Sequence, residues 1–376
     1  MHITQECPHF NQCSGCTLPL SLDYKPKIYE KALDFFKNRE IDAQFVFGEL
    51  TQWRYRAKLA VRNNGKEIVV GLFKSHSHEV EPIPHCLVHH PHVNWIIHVL
   101  KEQFEKFGIK AYVENTNTGL VRYIQCVVNK DSEKVQVSFV LNQEKNCPEV
   151  IQNIAFDLQQ KYPERIHSFW VNFQPSVTNV IFGNDWLYIA GEELFTETYL
   201  HQQVAFHPGS FGQANPKLFE KILSEIALNL NLHDQLLEMY AGVGTIGIAL
   251  SSHCRSVTCC EKNKRSFEAF KISQRLDLKP LKCIYHCEDQ LDTMRRLSGF
   301  NTLLVDPPRK GLAKELVDEI NSNQSLEKIF YISCGFDSFT RDVELLMDGG
   351  WKIKSASLYL LFPGTEHIET VVVLKK

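Results

Sequence analysis

The 376-residue sequence predicts an α/β protein: a doubly wound parallel sheet in its C-terminal part, preceded by a β-rich N-terminal part. Three observations carry that prediction. At roughly 150 residues per domain, the length predicts two or three domains. Hydrophobic residues make up 44% and charged residues 23%, enough to pack a core and too apolar for a disordered chain. The pattern changes near His207-Pro208-Gly209. Before it lie short alternating runs and turns. After it, runs apolar on both faces alternate with helical segments, as in a parallel sheet covered on both sides.

From Lys25 to about Lys37, Ile28, Leu33 and Phe36 recur at helical spacing after Pro26, a residue suited to a first turn. Tyr55–Arg62 alternates, Asn63-Asn64-Gly65 supplies a turn, and Glu67–Phe73 continues as a second strand, a hairpin signal. Val121–Val128, Val135–Leu141 and Val171–Phe173 read as further strands. In the C-terminal part the strand-like runs are Gln235–Met239, Ser256–Cys260, Leu281–Tyr285, Thr302–Val305, Lys328–Ser333 and Thr370–Leu374.

No apolar run approaches the roughly 18 residues of a membrane helix. The start, Met1-His2-Ile3-Thr4, lacks the basic and apolar stretches of a secretory signal. A soluble, cytoplasmic, monomeric protein with no membrane partner is expected. The net charge of −3 hides no basic half: Lys+Arg number 20 against 23 Asp+Glu in residues 1–210, and 21 against 21 after that. Contact with nucleic acid must then rest on a local patch. Twelve cysteines, about 3% of the chain, fall far short of a disulfide scaffold and point to metal ligation, catalysis or burial.

The strand-like Leu236–Met239 runs into Tyr240-Ala241-Gly242-Val243-Gly244 and a helix start. Gly242 and Gly244 let a ligand approach the backbone at the carboxyl end of a strand, the usual crevice of an open α/β sheet. Glu261 ends the next strand, 17 residues past Gly244, where a carboxylate can accept from both hydroxyls of a ribose. Glu288-Asp289 follow a further strand and could meet an adenine amino group. Gly-x-Gly without the full dinucleotide fingerprint suits S-adenosylmethionine better than NAD. Two more strand ends bear on chemistry. Leu303-Leu304-Val305-Asp306-Pro307-Pro308 holds Asp306 at the sheet edge by proline-stiffened backbone. Ile329–Ser333 delivers Cys334 to the same crevice, where a cysteine becomes a credible nucleophile.

Asp306-Pro307-Pro308-Arg309-Lys310-Gly311-Leu312, Ser333-Cys334-Gly335 and Phe362-Pro363-Gly364-Thr365-Glu366-His367-Ile368-Glu369 together resemble the RNA uracil-C5 methyltransferase family. The resemblance runs over nearly the whole chain. It implies that Cys334 adds to C6 of uracil, that the resulting enolate takes the methyl group of S-adenosylmethionine, and that Glu369 removes the C5 proton. Asp306 would lie between uracil and cofactor, orienting one or both. Phe211-Gly212-Gln213-Ala214-Asn215 resembles the family's Phe-x-Gln-x-Asn segment, implying that Gln213 touches the cofactor; Tyr240 and Glu261 match its other cofactor positions. This chain departs from the family at Gly335 (usually Asn), Ala241 (often Cys), Glu238 (usually Asp) and Leu360 (often Asp).

Cys7, Cys13 and Cys16, with the distant Cys86, can supply four thiolates to a [4Fe–4S] cluster or to structural zinc. From spacing alone the two stand level, since His85, His89, His90 and His92 keep zinc open. Some members of the family carry an iron–sulphur cluster on such a cysteine set, which favours the cluster in a structural role. Because the cysteines begin so near Met1, the layout resembles the branch acting on 23S ribosomal RNA rather than the tRNA branch. Trp53-Arg54-Tyr55-Arg56-Ala57-Lys58, with Arg62, interleaves aromatic and cationic side chains as an RNA-facing patch would. The target uridine, flipped from its stack to reach Cys334, is expected in an RNA loop.

The expectation is therefore an N-terminal iron–sulphur and β-rich RNA-binding region followed by a Rossmann-like doubly wound methyltransferase domain. The divisions are residues 1–90 for the cysteine region, early helix and basic hairpin, 91–205 for a central domain continuous with the hairpin at 53–73, and 206–376 for the methyltransferase domain. Two other readings compete. Amino methylation of adenine or cytosine shares Asp-Pro-Pro but expects an aromatic residue where Arg309 stands, and needs neither Cys334 nor Glu369. A non-catalytic iron–sulphur RNA-binding protein would have no use for that pair.

Overall fold

A computed structural model describes residues 6–276 and 282–376. In chain order, α1 (Lys27–Lys37) leads to β1 (Ala43–Val46), then β2 (Arg56–Asn63), β3 (Ile68–Phe73) and β4 (Val80–Pro82). Helix α2 (Pro91–Lys106) precedes β5 (Val121–Val128) and β6 (Val135–Leu141), and α3 (Glu149–Lys161) precedes β7 (Ile166–Phe173) and β8 (Asp185–Gly191). A ribbon of β9 (Phe195–Tyr199) and β10 (Gln202–Phe206) leads to α4 (Pro216–Leu228). The last part alternates β11 (Gln235–Met239), α5 (Thr245–Leu250), β12 (Ser256–Cys260), α6 (Lys264–Leu276), β13 (Cys283–His286) and α7 (Gln290–Met294). It continues with β14 (Thr302–Val305), α8 (Lys314–Ser322), β15 (Lys328–Ser333), α9 (Phe336–Asp348), β16 (Lys352–Tyr359) and β17 (Glu369–Lys375). Leu281, the expected start of one strand, lies outside the described residues.

Among the described residues the strands form an eight-stranded sheet, a seven-stranded sheet and the two-stranded ribbon. The first has the order β1-β16-β17-β15-β14-β11-β12-β13, and β17 alone runs against its neighbours. Alternate residues of its strands enter different cores. Leu236, Leu304, Phe330 and Ile332 pack on one face; Leu237, Leu303, Ile329 and Tyr331 pack on the other. Both faces are thus covered, as the unbroken apolar runs require. The seven-stranded sheet, order β4-β3-β2-β5-β6-β7-β8, buries one face under α2 and α3 through Ile96, Leu100, Phe104, Ile154 and Leu158.

The structure divides the N-terminal region differently from the expected 1–90 and 91–205. Helix α1 sends Tyr29, Ala32 and Phe36 into the C-terminal core, and β1 pairs in parallel with β16. Strands β2–β4 join β5–β8 in one sheet, the continuity expected between the hairpin at 53–73 and the central part. Burying Phe36 completely contributes roughly 2–3 kcal/mol to holding the first helix on the distant C-terminal sheet. An amphipathic helix shows that it has a buried face but not which core receives it.

Candidate active site

Sheet register brings the expected catalytic residues together. Strands β11, β12, β14 and β15 are parallel, so their carboxyl ends share one edge of the sheet. Strand β17 runs the other way, so its first residue, Glu369, arrives at that edge. Ser333 pairs with Thr370, which leaves Cys334 and Glu369 as the next residues facing each other across β15 and β17. Opposed residues of antiparallel strands stand about 5 Å apart at Cα and point to the same face. Val305 pairs with Tyr331, placing Asp306 beside the end of β15. By the two-residue period of a strand, Asp306, Cys334 and Glu369 continue the rows of Leu304, Ile332 and Val371, which all belong to one core face.

The loops holding these ends are tied together. Buried Asp342 accepts from Leu312 N–H at 2.7 Å and from the Tyr331 hydroxyl at 2.7 Å, pinning the loop that follows Asp306 to the catalytic strand. Ser338 Oγ lies 2.8 Å from Arg309 O and 2.9 Å from Gly335 O, bridging that loop to the Cys334 turn. A β-carbon at Gly335 would come within 2.9 Å of Arg309 O. The Asn usual in the family would have to open this contact, so glycine allows the two loops to close.

The electrostatics follow from crowding acids at a covered edge. Burial raises the carboxyl of Asp306 to about 7. Burial and the Asp306 charge hold Glu369 well above the carboxylate range, with Arg309 opposing them. Burial pushes the Cys334 thiol up, Glu369 and Asp306 add to that, and the Arg309 guanidinium pulls it back. Arg309 also lies 3.2 Å from His367 Nε2. A strongly basic carboxylate is suited to take a proton from carbon, and a cation beside the thiol favours the nucleophilic form.

Next to these residues, Met239, Tyr240, Cys260, Glu261, Lys262, Glu288, Asp289, Thr293, Pro308 and Lys310 line a cavity of about 510 Å³. Gly242 has φ +54° and open space where a β-carbon would be; Gly244 has φ +82° and rests against Phe270. Tyr240 holds φ +63°, a strained conformation for a bulky residue that costs on the order of 1 kcal/mol. The Tyr285 hydroxyl donates to Gly242 O at 2.6 Å and supports the turn. Buried Glu238, raised to about 8 by burial, accepts from Gly247 N–H at 2.8 Å. Its carboxyl therefore braces the turn from below. Glu261 accepts from Asn263 N–H with one oxygen, and Asp289 caps α7 through Asp292 N–H. Open glycine backbone beside carboxylates fits the nucleoside part of S-adenosylmethionine. Of the expected cofactor residues, Tyr240, Glu261 and Asp289 line this cavity and Gly242, Gly244, Asp306 and Gln213 lie outside its lining. Gln213 sits in the loop 207–215, where its carbonyl accepts from Arg56, and Asn215 of the same loop donates to Leu361 O.

Residues 290–376, which carry Asp306, Cys334 and Glu369, match the model of the tRNA (uracil-5-)-methyltransferase family. An uncharacterized RNA methyltransferase of Protochlamydia amoebophila is 36% identical, over 98% of this chain and 97% of that protein. Another, from Halalkalibacterium halodurans, is 28% identical over 98% of this chain and 82% of its own length. The crystal structure of the Pyrococcus abyssi tRNA (uracil-54, C5)-methyltransferase in complex with S-adenosyl-L-homocysteine superposes with a TM-score of 0.78. It is 26% identical and the match covers 97% of this chain and 86% of that one. The chain belongs to the RNA uracil-C5 methyltransferase family. It is an S-adenosylmethionine-dependent RNA methyltransferase, and among its described residues no helix is long and apolar enough to cross a membrane.

In this methyltransferase Cys7, Cys13, Cys16 and Cys86 line one cavity of about 330 Å³, with Ala57, Leu59, Leu72, Ile83 and Val88 as apolar walls. Burial raises Cys16 to about 12, the other three thiols add to that, and Arg54 opposes them. Four neighbouring thiols on one cavity wall, with His9, Arg54, Lys58 and His89 also lining it, fit a group held by sulphur. Among the described residues no three His, Cys, Asp or Glu side chains are arranged to hold a single metal ion. His90 accepts from His92 N–H to cap α2, and His92 Nδ1 meets Glu133 O, so both have other partners.

The expected RNA-facing patch needs correction. Tyr55 is 2% exposed and Arg62 8% exposed. Arg62 donates to Glu114 at 2.6 Å and to Arg122 O at 2.9 Å. Arg56 pairs with the fully buried Glu197 at 2.7 Å, and Arg54 lines the cysteine cavity. Lys58 alone of the five remains exposed, over the Phe182 ring at 4.6 Å. Cations interleaved with aromatic residues on a strand here serve packing between layers. Arg309, Ser338, Glu238 and Asp342 were not singled out from the sequence as working residues; for Arg309 the signal was its place directly after Asp-Pro-Pro.

Proposed function

We propose that this enzyme transfers a methyl group from S-adenosylmethionine to C5 of one uridine in a 23S ribosomal RNA loop, with Cys334 as nucleophile and Glu369 as base. The observation that carries the reading is the placement of Cys334 and Glu369 on facing strand ends, beside Asp306. The Cys334 thiolate adds to C6 and pushes the ring electrons onto C5 and O4. Bound in the cavity beside the glycine turn, S-adenosylmethionine would supply an electrophilic methyl group. Asp306, between the cofactor side and the nucleophile, orients the uracil edge. Once C5 carries both methyl and hydrogen, the Glu369 carboxylate takes the proton. The C–H electron pair forms the C5–C6 double bond, and sulphur leaves as thiolate. Nucleophile and ring are restored, and one proton is released per turnover.

The residues proposed to hold the cofactor are Gln213, Tyr240, Gly242, Gly244, Glu261, Asp289 and Asp306. Cys7, Cys13, Cys16 and Cys86 are proposed to hold a [4Fe–4S] cluster in a structural role, within a monomeric cytoplasmic protein. The likeness to the Pyrococcus abyssi enzyme supports a second reading, the same chemistry on transfer RNA. Mass-spectrometric mapping of 5-methyluridine in 23S and transfer RNA, with and without the gene, separates them. Loss at one ribosomal site supports the first reading, loss from transfer RNA the second, and no loss from either refutes both.

A further inference from the structure

The loop 360–368 joins β16 to β17 and ends at Glu369. The cysteine segment grips it from outside. Thr17 N–H and Leu18 N–H both donate to Gly364 O, at 2.8 and 3.0 Å. Gly364 has φ +86°, and a β-carbon there would stand 2.8 Å from Leu20 Cδ2 and 3.1 Å from Cys16 Sγ. Two further contacts hold the same loop: Lys27 N–H at the start of α1 donates to Glu366 Oε2 at 2.8 Å, and Trp53 packs edge-on against Phe362 at 5.8 Å.

We propose that Gly364 is a positioning residue for proton removal: residues 16–20 of the cysteine segment, seated on its carbonyl and its bare α-carbon, fix the loop that aims Glu369. This rests on the reading of Glu369 as the base. Cys334 and Asp306 lie one residue past the interior strands β15 and β14; β17 is interior too, and Glu369 pairs with Tyr359 at its very start. Glu369 is the first residue of its strand and follows the loop directly. The Cys334 and Asp306 turns are tied to each other through Ser338 and Asp342 and meet this loop at the Arg309–His367 contact, so a displaced loop moves the base more than the nucleophile. The step that suffers is the one in which the carboxylate takes the C5 proton, the C–H pair becomes the ring double bond and the sulphur–C6 bond breaks. Addition and methyl transfer precede it and continue, so a methylated covalent adduct builds up.

The test uses the full-length protein with its metal content intact. Gly364→Ala should lower kcat by about 10–100-fold, the scale of a misplacement near 1 Å. Because the steps through methyl transfer are untouched, kcat/KM for RNA should stay within about twofold of wild type, KM falling with kcat, and the affinity for S-adenosylmethionine without RNA should be likewise unchanged. An RNA adduct stable to denaturing gels should accumulate. Adding Leu20→Ala, which removes the nearest atom, should restore part of kcat and reduce the adduct. Wild-type turnover in Gly364→Ala, or lost turnover without adduct, overturns the proposal. If that variant does not fold, Thr17→Pro, which deletes one of the two amide donors, is held to the same outcomes. Glu369→Gln run in parallel separates the failures: absence of adduct there indicts the role of Glu369 rather than that of Gly364.

Discussion

Replacing Asp306 with Asn should abolish or cripple methyl transfer while making the folded protein more stable, and the size of that gain should depend on pH. The Asp306 carboxyl rises from its ordinary value of 3.8 to about 7 because folding buries it. As pH climbs past about 4, the unfolded chain loses this proton first, so the native state is increasingly penalised until about pH 7. Each pH unit of displacement is worth about 1.4 kcal/mol, which gives roughly 4 kcal/mol as an upper bound. Partial exposure and the shared field of Glu369 reduce it to about 2–4 kcal/mol. With an unfolding entropy of about 2.1 cal/mol/K per residue, that range corresponds to a rise in Tm of about 3–5 °C. Scanning calorimetry of wild type and Asp306→Asn without cofactor, from pH 4.5 to 8, measures it. The difference should be small at pH 4.5 and largest at pH 8. A variant less stable than wild type at pH 8, or a gap that ignores pH, would refute the electrostatic picture of this edge.

Other perturbations separate the remaining roles. Cys334→Ala should reduce methylation by more than about 10³-fold with cofactor affinity unchanged within about twofold, measured by calorimetric titration; turnover within about tenfold of wild type would exclude a covalent route. Arg309→Gln should shift the alkylation midpoint of Cys334 to higher pH, because the guanidinium is what pulls the thiol down; site-resolved mass spectrometry of iodoacetamide labelling reads it, and an unmoved or lowered midpoint counts against that role. The purified protein should be brown, with broad absorbance near ~400 nm that Cys86→Ser bleaches. A colourless, zinc-loaded enzyme of full activity contradicts the cluster assignment.

Strands β11, β12, β14 and β15 were legible in the sequence because each is a short run apolar on both faces, ended by a residue that breaks the pattern; β16, half polar along its length, and β1 were not. Asp306 after Leu303-Leu304-Val305 and Cys334 after Ile329–Ser333 stand out for that reason. Glu369 was not legible this way. It begins a strand rather than ending one, and only the antiparallel pairing of β17 with β15 brings it to Cys334, so the family motif had to point to it. The mixed fate of residues 27–82 was hidden for a related reason: α1 and β1 find their partners some 300 residues away in β16 and the C-terminal core. The patch at Arg54–Arg62 misled because a guanidinium at a layer interface has the same composition as one on an RNA-binding face. Burial and the acids Glu197 and Glu114, far along the chain, decide between them.

Covalent chemistry at Cys334 can be observed directly by incubating Glu369→Gln with S-adenosylmethionine and target RNA, digesting with nuclease and protease, and sequencing the cross-linked peptide by mass spectrometry. A single peptide should carry a methylated, ring-saturated uridine on the Cys334 sulphur. Finding that nucleotide on another residue, or only unattached 5-methyluridine and unmodified Cys334, would contradict the mechanism.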